Sequence, residues 1–247
     1  MSEELIGLIP AAGKGIRLGL PYPKELYPII RDNRYKPVSQ FVVENLTGSG
    51  IEHIVFVINE TKHQLIGYFG DGSRFHCHIS YVVQEQRENG SASTSPGLAH
   101  ALNSAYYLVR NKVVCFGMAD TIIAPTDAFC IAMERSSASL ILGLFDTDRP
   151  EKFGMVDLDS QGYVREIVDK PRTTDLKFMW GFIIWKPVFT EYLHDCVQRE
   201  VYDFARIMNQ AIKDGIETQG VIIDNGGYTD LGTYEEIMEL ERTFRAI

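Results

Sequence analysis

Short apolar, β-branched runs alternate along this chain with longer stretches of helical period, and that alternation outlines the elements. Strands are predicted over residues 5–9, 53–57, 79–83, 112–116 and 139–144, with helices over 38–46, 62–69, 97–109 and 126–135 between them. Strand and helix in turn imply a mainly parallel sheet with helices on both faces, joined by right-handed crossovers. Past Phe145 the rhythm changes. Two short apolar runs, 155–158 and 163–168, flank Asp159-Ser160-Gln161-Gly162, turn residues that predict an antiparallel hairpin and so a mixed sheet. A strand over 182–185, a helix over 200–213, a strand over 217–223 and a closing helix over 233–245 complete the pattern. No repeat, low-complexity tract or Pro/Gly/Ser-rich linker divides it. A single domain over 1–247 is expected, its halves at 1–145 and 146–247.

Composition narrows the function. The 247 residues are 45% hydrophobic and 23% charged, the balance of an ordinary folded protein. Twenty-four Lys and Arg against 33 Asp and Glu give a net charge of −9, which argues against a broad nucleic-acid or anionic-membrane surface. An anionic ligand must therefore be met by local cations. The acidic start, Met1-Ser2-Glu3-Glu4, does not read as a signal peptide, and no run reaches the ~18 apolar residues of a membrane span. Cys77, Cys115, Cys130 and Cys196 form no C-x-x-C pair, so neither a disulfide framework nor a zinc site is indicated, and a reducing cytoplasm is expected.

Candidate chemistry begins directly after the first strand, in Pro10-Ala11-Ala12-Gly13-Lys14-Gly15-Ile16-Arg17-Leu18-Gly19-Leu20-Pro21-Tyr22-Pro23-Lys24-Glu25-Leu26. Small residues Ala11, Ala12, Gly13 and Gly15, with Lys14 among them, let the backbone close tightly so that successive N–H groups cradle phosphate oxygens. The place suits it, since ligands of open α/β sheets bind outside the carboxyl ends of the strands. A plain Gly-rich turn and a dinucleotide turn are the alternatives, but the spacing here is G-x-G-x-x-x-G rather than G-x-G-x-x-G. Arg17 and Lys24, on a loop stiffened by Pro21 and Pro23, supply the positive charge a triphosphate requires.

The stretch I-P-A-A-G-K-G-I-R-L followed by P-K-E-L-Y-P-I resembles the signature of the sugar-nucleotide pyrophosphorylases, the sugar-1-phosphate nucleotidyltransferases, and further matching pieces follow in order over nearly the whole chain. The resemblance implies a Rossmann-like α/β fold of the nucleotide-diphospho-sugar transferase type. It also implies an activity: a sugar 1-phosphate attacks a nucleoside triphosphate, dTTP or UTP foremost, giving an NDP-sugar and pyrophosphate with Mg2+ as cofactor. The expected partners are those two small molecules, without nucleic acid or membrane, and a homo-oligomer is compatible with them.

Residue by residue, Val113 to Asp120 is similar to the strand closing in G-D, and Gly227-Tyr228-Thr229-Asp230-Leu231-Gly232-Thr233 to the aromatic-x-D-x-G-T segment, so Asp120 and Asp230 are the implied metal ligands. Mg2+ commonly takes only one or two protein carboxylates, with phosphates and waters as the rest. On its own residues, Thr233 with Glu236 also reads as a helix capping box. Val168-Asp169-Lys170-Pro171 resembles the E-K-P element, which implies that Lys170 meets the sugar phosphate and Asp169, standing where the family has Glu, a sugar hydroxyl. Gly154 and Gly181 match sugar-contacting glycines, although Trp180 is an unusual neighbour of the second. Gln84 and Gly97 match the positions that read a pyrimidine edge, and the polar stretch 85–96 between them is longer than the family's turn, as a lid would be.

Two features stand apart. The Arg17 to Lys24 spacing looks like that of the isoprenoid and ribitol-phosphate cytidylyltransferases, which keeps a cytidylyltransferase as an alternative; a non-catalytic nucleotide-sugar binder and an NAD-binding protein are others. His76 and His78, two apart, would share one face of a strand but lack a third metal ligand, and His100 would serve as a base only if the chemistry needed one.

Overall fold

The computed structural model describes residues 4–13, 15, 19–31, 34–85 and 97–245. In chain order the elements are β1 (Leu5–Pro10), β2 (Pro28–Arg31), β3 (Arg34–Pro37), α1 (Val38–Gly48), β4 (His53–Ile58), α2 (His63–Phe69), β5 (His78–Val83), α3 (Leu98–Ser104), α4 (Tyr106–Val109), β6 (Val113–Gly117) and β7 (Thr121–Ala124). There follow α5 (Ala128–Arg135), β8 (Leu140–Asp146), β9 (Gly154–Leu158), β10 (Val164–Asp169), β11 (Phe178–Trp185), α6 (Pro187–Gln198), α7 (Phe204–Lys213), β12 (Thr218–Ile222), β13 (Gly227–Asp230) and α8 (Tyr234–Arg245).

Among the described residues nine strands form one sheet. Strands β6, β1, β4 and β5 pair in parallel, with Gly7 opposite Ile54 on one side and Cys115 on the other. Antiparallel β11 joins β6 to β8, and β12 lies parallel to β8 at the far edge. The expected mixed, mainly parallel α/β sheet is therefore what the chain forms. The β9–β10 pair is antiparallel, as the turn residues at 159–162 predict, and it joins the amino-terminal end of β11 at Met179.

Side chains alternate across each strand, so both faces of a fully covered sheet are apolar. Ile9, Ile54, Phe56 and Cys115 face α1, α2 and α5, while Ile6, Leu8, Val55, Val57, Val114 and Phe116 face α3, α6 and α7. A third, smaller cluster joins Ile29, Val38, Phe41 and Ile122 to Leu231, Ile237 and Leu240 of the carboxyl-terminal segment. Helix α1 approaches β1 so closely that a Cβ on Gly7 would lie 2.9 Å from Leu46 Cδ1.

Several elements depart from the periodicity. The helix predicted over 97–109 is broken at Ala105 into α3 and α4. The one predicted from residue 200 starts at Phe204, because Glu200 adopts φ 60° and Asp203 caps the helix by accepting the Arg206 N–H at 2.9 Å. Strand 182–185 extends back to Phe178 through a register shift between Trp180 and Phe182. Helix α6, opened by Pro187 in its first turn, and the two small ribbons β2–β3 and β7–β13 carry no clear sequence period.

Gly143 on β8 faces the Phe182 ring, 2.2 Å from where a Cβ would stand. Gly143→Ala is expected to lower stability by about 1–3 kcal/mol through overpacking, read as a lower denaturant midpoint with an unchanged slope.

Candidate active site

The carboxyl ends of the parallel strands set the site. Beyond β1 the Ala11 N–H donates to Val57 O at 2.7 Å, and the Asn59 side-chain amide donates to Ala12 O at 2.8 Å, which pins the loop's first residues to the end of β4. Gly15 turns with φ 62°, lying against the Lys24 side chain. Ala11, Ala12 and Gly13 line a cavity of about 300 Å³ together with Gln84, Gly97 and Lys24. Lys14, Arg17 and residues 86–96 lie outside the described residues.

Pro23 precedes a short 3-10 turn, Lys24–Leu26, which sends consecutive charges to two different partners. The Lys24 ammonium donates to Asp120 Oδ2. Glu25 Oε1 accepts from Lys62 at 2.6 Å, both side chains being buried. Burial alone would depress Lys24, but the charge and hydrogen bond of Asp120, with Glu25 and Asp230 nearby, raise it above the ordinary lysine value. In the second pair burial dominates: it pushes Glu25 up and Lys62 down despite their mutual attraction. No donor among the described residues reaches Glu25 Oε2.

Asp120 stands where the chain leaves β6 and turns into β7. Helix α1 fastens β7 from behind, since the buried Asn45 amide donates to the carbonyls of Ile123, Pro125 and Thr126 at 3.2, 3.3 and 3.2 Å. Strand β13 pairs antiparallel with β7, placing Asp230 opposite Thr121, and the Leu231 N–H donates to Asp120 O at 3.0 Å. The two aspartates, 110 positions apart in number, are thus neighbours in space. Burial and the facing charges of Asp120 and Glu236, only partly offset by Lys24, push Asp230 up to about 6.

Asp120, Asp230 and Lys24 also line a second cavity of about 660 Å³, whose far wall includes Gly154, Asp169 and Lys170. The β9–β10 register puts Asp169 directly across from Gly154, and the Lys170 N–H, at φ 47°, donates to Phe153 O at 2.9 Å. Trp180 covers Gly154, its indole nitrogen 2.3 Å from the position a Cβ would take. Gly181 is not among the lining residues; it sits beneath Phe145 and Tyr228, whose rings leave no room for a side chain. Lys24, Gly97, Leu98, Met118 and Asp120 belong to both cavities, so the two spaces meet at the Lys24–Asp120 contact.

Other lining groups carry no motif. Lys152 donates to Glu236 Oε1 at 2.6 Å, and Oε2 of the same carboxylate accepts from the Gly232 and Thr233 N–H groups at 3.0 and 2.9 Å. Burial would lift Glu236, yet Lys152 and Thr233 hold it below the usual carboxylate range. The capping box at Thr233 and Glu236 is therefore real, and Glu236 also lines the second cavity. Trp180, Tyr202 and Asp203 complete that wall. Nothing in the local pattern marks Lys152, Tyr202 or Asp203, because the fold alone brings them there.

A family model described as nucleotidyl transferase matches residues 6–246. The chain is 26% identical over 243 residues to the low-salt glycan biosynthesis nucleotidyltransferase Agl11 of Haloferax volcanii, covering 94% of this chain and 64% of that protein. It is 26% identical over 250 residues to a glucose-1-phosphate thymidylyltransferase of Streptomyces antibioticus, covering 96% and 65%. This chain thus spans just under two thirds of the length of each of these relatives. Its fold is similar to that of the UTP-bound UGPase from Acinetobacter baumannii, with a TM-score of 0.77 over 98% of this chain and 93% of the other at 17% identity. No helix among the described residues is long and apolar enough to cross a membrane.

Lys62→Met would strand the Glu25 carboxylate in the interior, at an expected cost of about 3–5 kcal/mol, and adding Glu25→Gln should recover most of it. Burial raises the Glu25 pKa in the folded state, so the loss is full above that raised value and shrinks as pH falls through it. Denaturation of both variants near pH 8 and near pH 5 measures this.

Proposed function

This chain belongs to the nucleotidyl transferase family, and we propose on that premise that it transfers a nucleotidyl group from dTTP or UTP to a sugar 1-phosphate. The observation that carries the reading is the meeting of two cavities at one ion pair, Lys24 with Asp120, beside the half-buried Asp230. Each cavity takes one of two anionic reactants, and the shared wall is where their phosphates would face each other.

The nucleophile is an oxygen of the sugar phosphate, already anionic at neutral pH, so no protein base is needed. A bond forms from that oxygen to the α-phosphorus as the bond to the β-phosphate oxygen breaks, its electron pair leaving with pyrophosphate. Catalysis then reduces to holding two repelling anions in line and answering the charge that moves between them. Lys24 stands at the junction and would meet the α-phosphate and the departing group, with Arg17 and the loop N–H groups of residues 11–15, Lys14 among them, holding the rest of the triphosphate. Gln84 and Gly97 would face the base. Lys170 would bind the acceptor phosphate, with Asp169 and Gly154 beside its sugar; Gly181 would act from beneath, through the packing of Phe145 and Tyr228.

The residues present suit Mg2+. Asp120 and Asp230 stand together beside the Lys24 ammonium, and burial with the charges of Asp120 and Glu236 raises Asp230 to about 6. Asp120 and Asp230 offer the hard oxygen ligands, one or two in number, that this ion commonly takes from a protein. When bound, it would supply positive charge to the phosphate oxygens as they rearrange.

Pyrophosphate release from dTTP or UTP, assayed over a panel of sugar 1-phosphates with Mg2+, tests the reading; none from any pair would overturn it. Asp120→Asn and Asp230→Asn are each expected to lower turnover by about two to three orders of magnitude. Turnover within a few-fold of the parent in both would refute the assignment of the two carboxylates.

A further inference from the structure

We propose that His100 locks the side-chain amide of Gln84 in one orientation and so makes the nucleotide cavity selective for an imide base, uracil or thymine, over cytosine. The inference rests on the reading that this cavity takes a pyrimidine, and deepens it. Gln84 follows β5, its backbone N–H donating to Ile58 O at 2.7 Å, and its buried side chain lines the cavity. The amide nitrogen of Gln84 lies 2.6 Å from Nδ1 of His100, in the first turn of α3. An amide nitrogen has only hydrogens to offer, so Nδ1 accepts, and the imidazole is neutral with its proton on Nε2. Rotating the amide by half a turn would set the carbonyl oxygen against Nδ1, acceptor against acceptor. The amide can turn only if the ring proton moves from Nε2 to Nδ1 at the same time, so amide orientation and histidine tautomer are coupled.

One amide N–H is used in this contact. The second N–H and the carbonyl oxygen remain as a donor and an acceptor for the base. An imide presents N3–H beside the O4 acceptor, whereas cytosine presents the N3 acceptor beside the N4 amine, the same pair in reverse order. A fixed amide matches one and opposes the other; an amide free to turn accepts both. His100 is itself buttressed, since its backbone N–H donates to Gly97 O at 3.1 Å and its ring meets the edge of Tyr202 with centroids 5.9 Å apart. His100 is thus a positioning residue, acting through Gln84.

Calorimetric binding of dTTP, UTP and CTP, each with Mg2+, to the parent and to His100→Ala tests the lock without requiring turnover. The parent is expected to bind both imide nucleotides at least about tenfold more tightly than CTP, within the discrimination of one bidentate pair, and the variant to lose most of that preference. Equal binding of all three by the parent, or an unchanged preference in the variant, would overturn the lock. Nitrogen-15 NMR of the parent supplies a measurement independent of the variant's folding: an unprotonated Nδ1 at His100 supports the lock, and a protonated one overturns it. Nucleotide preference abolished by His100→Ala in a protein that releases no pyrophosphate would support the lock and count against transfer. Release with the preference intact in the variant would do the reverse.

Discussion

The Lys24 ammonium on the Asp120 carboxylate ties the loop after β1 to the end of β6, and the site is arranged about that contact. Neither charge is fully hydrated, so each needs the other, and removing one would leave its partner poorly solvated. Burial works against the Lys24 charge, but Asp120, with Glu25 and Asp230 further off, holds its proton above the ordinary range. On the proposed reading, a cation would meet this excess of negative charge and the phosphates of the ligand would meet Lys24.

Holding that charge requires a rigid frame, and the sheet supplies it in two parts. The parallel strands β1, β4, β5 and β6 end together, so their loops converge on one edge as in other open α/β sheets. Antiparallel β9, β10 and β11 extend the sheet past the end of β6 and carry Gly154, Asp169 and Lys170 toward the same space. The β7–β13 ribbon then closes the site, bringing Asp230 against Asp120 through a ladder only four residues long on each strand. Buried amides secure these short pieces: Asn45 holds β7, and Asn59 holds the first loop. An unpaired buried amide costs free energy, so these contacts favour one placement over others.

Much of this was legible along the chain. The alternation of strand and helix, the antiparallel hairpin at 159–162 and the capping box at Thr233 are local matters, decided by periodicity and by turn chemistry within a few residues. Asp120, Asp230, Asp169 and Lys170 stood out through resemblance of short motifs, and the fold places all four on one cavity.

What local pattern could not carry was pairing across distance. Strands β7 and β13 are four residues each, too short for a period, and become strands only because each satisfies the other's backbone groups. Lys152 meets Glu236, and Gln84 meets His100, only once β9, α8, β5 and α3 are packed. Gly181 was marked by its motif, but whether it touches ligand or packs under rings depended on Phe145 and Tyr228, distant in sequence. The sequence by itself determined the longer strands and helices and which charges are available. Only the tertiary structure decided which charges face one another, because burial, and with it the strength of each interaction, is a property of the assembled sheet and its covering helices.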